Sequence, residues 1–251
     1  MRSLLRLFSA AFVAAFVSGL PATAWGQITI DRDAVMLDPG QAAVRSADIV
    51  VRNTGDTGIE ASVLLEDWDV DATGASRWRK PGQVAGSCGD RLSVSPRRMT
   101  LAPGEQRVVR VALRSDAQFD SECWTAAVVQ SDAPSTPTVQ ARSSVPLYVT
   151  PSGLSADGEV SDLFVRGDSL VVHFRNTGKL RSDVVGEVQV RVADDSLVAV
   201  VPLEAATVLA GSERQWRIHM PRLAPGKYTI YGVVNFGGAT LVAAQATLEI
   251  R

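Results

Sequence analysis

Residues 49–55 read Ile-Val-Val-Arg-Asn-Thr-Gly, and residues 172–178 read Val-His-Phe-Arg-Asn-Thr-Gly. Each copy alternates its side chains and then stops at Asn-Thr-Gly, where the Asn amide bonds its own backbone and Gly accepts a positive φ. One β-strand running into one kind of turn is thus written twice. Two further echoes follow in the same order. Gly104-Glu-Gln-Arg-Val-Val-Arg-Val111 is matched by Gly211-Ser-Glu-Arg-Gln-Trp-Arg-Ile218, and Glu122-Cys-Trp-Thr-Ala-Ala-Val-Val129 by Gly226-Lys-Tyr-Thr-Ile-Tyr-Gly-Val233. Two related β units in tandem account for all three, against the plainer reading that β proteins share turn chemistry.

The rest of the chain fits that plan. Helical periodicity is nearly absent after residue 27. Short runs rich in Val, Ile, Leu, Thr and aromatics (28–30, 47–52, 61–68, 107–113, 124–130, 139–149) are separated by Asp38-Pro39-Gly40, Ala102-Pro103-Gly104 and residues 134–137. Spacings of about 8–12 residues between turn signals mark a sandwich or barrel. The expectation is an all-β chain of two tandem immunoglobulin-like β-sandwich domains, residues 27–150 and 151–251, joined at Pro151-Ser152-Gly153. So short a joint predicts closely coupled domains.

Residues 1–26 stand apart. Arg2 and Arg6 precede an apolar run from Leu7 to Val17, and Gly19, Pro21 and small residues follow to Gly26. That is the three-part pattern of a cleaved secretory signal peptide; a membrane anchor of about 20 apolar residues is the alternative, and the run is short for it. The leader holds two basic and no acidic residues, so the remainder carries 23 basic against 27 acidic side chains, a formal charge of −4. Such a surface offers no field for nucleic acid, and no later stretch predicts stable membrane insertion. In an exported chain Cys88 and Cys123 read as a disulfide rather than a metal site, closing a loop of about 35 residues.

No catalytic constellation stands out, so the chain is expected not to be an enzyme and to need neither cofactor nor metal. His173 and His219, the two histidines, each sit within a strand pattern. There is no nucleophile elbow, no paired-His zinc motif and no phosphate-cradling Gly loop. Asp67, Asp69 and Asp71 have the odd spacing of a calcium loop, but Ala72 and Trp78 occupy the Gly and bidentate Glu positions, so a polar strand end turning at 71–74 is the better reading. Trp68, Trp78, Trp124 and Trp216 suit packing within or between sheets before a sugar platform.

A sandwich also has edges, which a partner strand can complete. Val139, Ala141, Ser143, Val145 and Leu147 alternate onto one face of a run that contains Pro146, a residue suited to an edge because it cannot donate to a ladder. The same alternation describes an ordinary terminal strand that fills its own core.

Ile28-Thr-Ile-Asp-Arg32, Val94-Ser-Pro96 followed by Leu101-Ala-Pro-Gly-Glu-Gln-Arg-Val-Val-Arg110, and Val145-Pro-Leu-Tyr-Val-Thr-Pro151 come in an order that resembles the PapD-like periplasmic chaperones of pilus and fimbrial assembly. The resemblance covers residues 27–151. It implies a periplasmic protein that lends an edge strand to secreted pilus, fimbrial or fibre subunits without ATP, working with an outer-membrane usher. The donor strand is then Val139, Ala141, Ser143, Val145 and Leu147. Such chaperones hold a subunit's terminal carboxylate with an Arg of the first strand and a Lys before the inter-domain Pro. Here Pro146 stands at the Lys position and Ala34 at the Arg position, leaving Arg32 as the nearby candidate carboxylate anchor. The expected function is therefore chaperone-like; a structural or adhesive cell-envelope protein is the alternative, and a carbohydrate-binding accessory module a third.

Overall fold

A computed structural model describes residues 28–115, 117–132 and 141–250. The expected signal peptide (1–26), the turn at 134–137 and Val139 lie outside the described residues. Ten strands come from the first half: β1 (Ile28–Ile30), β2 (Val35–Leu37), β3 (Ser46–Asn53), β4 (Ile59–Val70), β5 (Ser76–Arg79), β6 (Leu92–Ser95), β7 (Arg98–Leu101), β8 (Gln106–Leu113), β9 (Cys123–Ser131) and β10 (Arg142–Val149). Seven come from the second: β11 (Gly158–Arg166), β12 (Ser169–Asn176), β13 (Ser182–Val192), β14 (Leu197–Val208), β15 (Glu213–His219), β16 (Gly226–Asn235) and β17 (Val242–Ile250).

The first sandwich faces a β1-β3-β8-β6 sheet with a β2-β10-β9-β4-β5 sheet, on which β7 also pairs β4; the second faces β11-β12-β15 with β14-β13-β16-β17. This is the immunoglobulin-like arrangement. Each half has its own core. Ile49, Val51, Val63, Leu101, Val109, Val111, Val129 and Leu147 fill the first, and Leu170, Val172, Phe174, Val188, Ile230 and Val234 the second, all nearly inaccessible. The alternation seen in 49–52 and 172–175 is the cause: β3 and β12 each turn every second residue inward.

The Asn-Thr-Gly repeat has one geometry in both halves. Asn53 and Asn176 are wholly buried. Asn53 Nδ2 donates to the Thr57 and Leu101 carbonyls, and Asn176 Nδ2 to those of Leu180 and Val208; the Asn Oδ1 accepts the N–H of Gly55 or Gly178. The Asn53 N–H bonds the Glu105 carbonyl as the Asn176 N–H bonds that of Ser212, which is the register of the 104–111 and 211–218 echo. Each Asn therefore ties a strand end to the turn that opens the strand beside it, and a buried amide is stable only when so satisfied.

The acidic run divides its carboxylates among separate tasks. Asp67 is buried and accepts from Gln83 N–H, Ser87 Oγ and Thr125 Oγ1. Asp69 pairs with Arg79 at the surface. Asp71 accepts from the hydroxyl and N–H of Thr73, the N–H of Ala75 and Arg77, which together hold its carboxyl well below the usual range. Among the described residues no group of three His, Cys, Asp or Glu side chains converges as a metal site would need. Cys88 and Cys123 form a disulfide between the strap before β6 and the start of β9.

The two sandwiches touch along several lines. Trp124 and Tyr148 of the first are buried with Leu209 of the second, with Trp68, Val70, Val84 and Ala210 around them. Trp216 lies in the second core, whereas Trp78 is exposed. The Glu122 carboxylate is inaccessible; it accepts the Arg181 N–H at 3.0 Å, the Thr150 hydroxyl at 2.7 Å and an ion pair from the Arg181 guanidinium. The joint itself is tied back by Ser152 Oγ donating to Asp38, whose pKa this bond and the Gly40 N–H lower.

Candidate docking edge

β10 is the strand on which the sequence places the partner site, and its hydrogen bonds decide which part of it is free. The Ser131 N–H bonds the Ala141 carbonyl, while the Thr150 N–H bonds Leu37 across the opposite side. Because backbone groups alternate sides along an antiparallel ladder, odd-numbered residues of β10 point theirs at β9 and even-numbered residues away from it. β9 covers Arg142–Val149 throughout, but β2 pairs, in parallel, only Leu147–Val149. The reason lies at the start of the chain: β1 pairs with β3 in the other sheet, and the polypeptide crosses at 31–34 before joining β10.

Among the described residues, no strand pairs the outer edge of residues 142–146. That edge offers the N–H and C=O of Arg142 and Ser144; the Pro146 carbonyl faces the same side but meets the first residue of β2, Val35, in the parallel register, and the missing proline N–H falls on the open side, where it costs the sheet nothing. Arg142 is fixed by an ion pair to Glu66 at 2.6 Å and by stacking 5.1 Å from the Trp78 ring centroid. The strand is thus ordered from its first residue.

The side chains correct the expected donor face. Val145 and Leu147 are fully buried in the first sandwich's own core, so they have nothing left to insert into a partner. Ala141 packs against that core and Ser143 is half-buried. The alternating face points home; the opening is backbone. Arg32 sits exposed on the crossing segment between β1 and β2; the Arg110 hydrogen bond lowers the pKa of Asp48 on β3, and the Arg32 charge adds a smaller effect in the same direction. The guanidinium that does stand at the strand's end is Arg181, stacked 4.1 Å from the Tyr148 ring centroid and 3.3 Å from the Met36 sulfur. Burial raises the Tyr148 pKa, and Arg181 opposes it. Sequence reasoning missed Arg181, and only its place shortly after the second Asn-Thr-Gly turn could have drawn notice.

No protein-family model and no curated protein matches this sequence. Solved structures do. The class 5 fimbriae chaperone CfaA shares 12% identity over 90% of this chain and 100% of its own, with a TM-score of 0.53. The YadV chaperone shares 12% over 88% and 100%, with 0.51. A structure titled as a chaperone–tip adhesin complex of CFA/I fimbriae biogenesis shares 11% over 87% and 98%, with 0.55. The chain therefore has the two-sandwich fold of the PapD-like fimbrial chaperones, as the landmark order implied.

Proposed function

We propose that this chain is a periplasmic, non-enzymatic chaperone-like protein that captures secreted pilus or fibre subunits by pairing the open edge of β10 with an incomplete subunit sheet, without ATP. The observation that carries the reading is the stretch 142–146, uncovered among the described residues beside β2, which begins only at Val35, on a fold shared with fimbrial chaperones. Unpaired edges are templates for a partner strand, and proteins otherwise cover or blunt them. A subunit strand laid there lies end to end with β2, and an outer-membrane usher is the expected acceptor of the loaded complex.

The edge can be tested without touching the core. Ser144→Pro deletes an outward N–H that β9 does not use, whereas Ser143→Pro deletes one that it does. Ser144→Pro should keep the wild-type unfolding midpoint yet bind co-expressed subunit at least about fivefold more weakly, the equivalent of one lost hydrogen bond. Ser143→Pro should destabilise the first sandwich. Unchanged capture by a folded Ser144→Pro protein would remove the proposal.

A further inference from the structure

The internal repeat exposes an asymmetry. Arg107 and Arg214 occupy matching positions, on β8 and β15. In the first sandwich β6 covers the edge of β8, and Arg107 lies largely exposed in an ion pair with Glu105. In the second, β15 ends its three-stranded sheet. That edge is met instead by the tip of the β4–β5 hairpin of the first sandwich. The Gln215 N–H, which faces away from β12, donates to the Ala72 carbonyl at 2.6 Å. Arg214 is covered there: its side chain is 13% exposed, it stacks 5.8 Å from the Trp216 ring centroid, and among the described residues its Nε has no acceptor. Among the described residues it pairs with the exposed Glu204 at 3.7 Å.

The tip is built to reach without bending. Asp71 clamps Thr73, Ala75 and Arg77, the Gly74 N–H closes onto the Asp71 carbonyl, and the Asp71 N–H bonds the Ala75 carbonyl. Gly74 adopts φ +94°, and a Cβ there would overlap the Arg214 guanidinium. The turn therefore favours glycine, and any larger residue there would also have to displace the Arg214 guanidinium.

We propose that the β4–β5 tip is a latch between the two sandwiches: Ala72 caps the β15 edge, Gly74 makes room for Arg214, and the pair holds the domains at one angle. The latch is releasable. Closing it buries a guanidinium with one nitrogen unsatisfied, a cost that hydration repays on opening. It lies apart from the Glu122–Arg181 contact, so the joint at 151–157 is spanned by independent ties.

Amide hydrogen exchange of the full exported chain reads the latch at Gln215. Gly74→Ala should speed exchange of that amide by about tenfold or more while core amides of β3 and β12 keep their protection. Gly82→Ala controls for backbone strain, since Gly82 has φ +81° but nothing within 4 Å of a Cβ; it should leave Gln215 unchanged. Arg214→Ala added to Gly74→Ala makes space and should restore protection. Unchanged Gln215 exchange in Gly74→Ala, an equal effect from Gly82→Ala, or no rescue by Arg214→Ala would each overturn the latch.

Discussion

Replacing Glu122 tests whether the inter-domain ion pair is structural. Its carboxylate has no exposure and the Arg181 side chain 20%, so Glu122→Leu strands a largely buried guanidinium and leaves the Arg181 N–H and Thr150 hydroxyl without their acceptor. Removing one partner of a buried pair costs about 3–5 kcal/mol, and the remaining water access of Arg181 argues for the lower end, about 3 kcal/mol. Against total stabilities of about 5–15 kcal/mol that is a large loss. The double variant Glu122→Leu/Arg181→Leu removes both charges and keeps only the orphaned N–H and hydroxyl, so it should be more stable than Glu122→Leu alone by about 1–2 kcal/mol. Urea unfolding followed by tryptophan fluorescence and far-ultraviolet circular dichroism measures both. A loss below about 1 kcal/mol for Glu122→Leu, or a double variant no more stable than the single, would refute the reasoning.

Val145→Asp should abolish cooperative unfolding of the first sandwich, because its side chain is wholly enclosed and a buried carboxylate has no partner there; a folded variant of native stability would contradict the packing. Thiol labelling of the unreduced, denatured protein should find no free thiol, and Cys88→Ala/Cys123→Ala should lower stability by about 3–4 kcal/mol, since the bridge spans 35 residues. Asn53→Ala and Asn176→Ala should each cost about 1–3 kcal/mol and by similar amounts, because each strands the same pair of carbonyls in its own sandwich. Clearly unequal losses, read from the two domains' thermal transitions, would break the equivalence.

What was legible in the sequence was local. Side-chain alternation and Asn-Thr-Gly turns act over a few residues, so the repeat and the strands on either side of it could be read directly. The donor face was not legible for a definite reason: alternation separates two faces of a strand but does not say whether the apolar one fills its own core or another's. Val145 and Leu147 fill their own. Nor does the pattern reveal that the first strand divides between sheets, leaving 142–146 uncovered among the described residues, or that Arg181 and Gln215 bond across the domain boundary. Those contacts join residues 59 and 143 positions apart in the chain and carry no local signature.

The open edge also bounds how a partner is held. It offers four backbone groups, and at about 1 kcal/mol net for each hydrogen bond a strand paired there gains about 4 kcal/mol. Association costs about 4–15 kcal/mol in lost freedom, so edge pairing alone gives little or no affinity. It fixes register and direction, and the stability of a complex must come from apolar burial. Val145 and Leu147 cannot supply that burial, already being enclosed. On the proposed reading it has to come from the partner's own unfilled sheet face. Lengthening the partner strand alone should then add little, whereas replacing apolar residues of the subunit's own open sheet face with Asp should weaken capture far more than Ser144→Pro does. The reverse order of effects, measured by titration calorimetry with a purified subunit, would mean that the backbone edge and not apolar burial dominates binding.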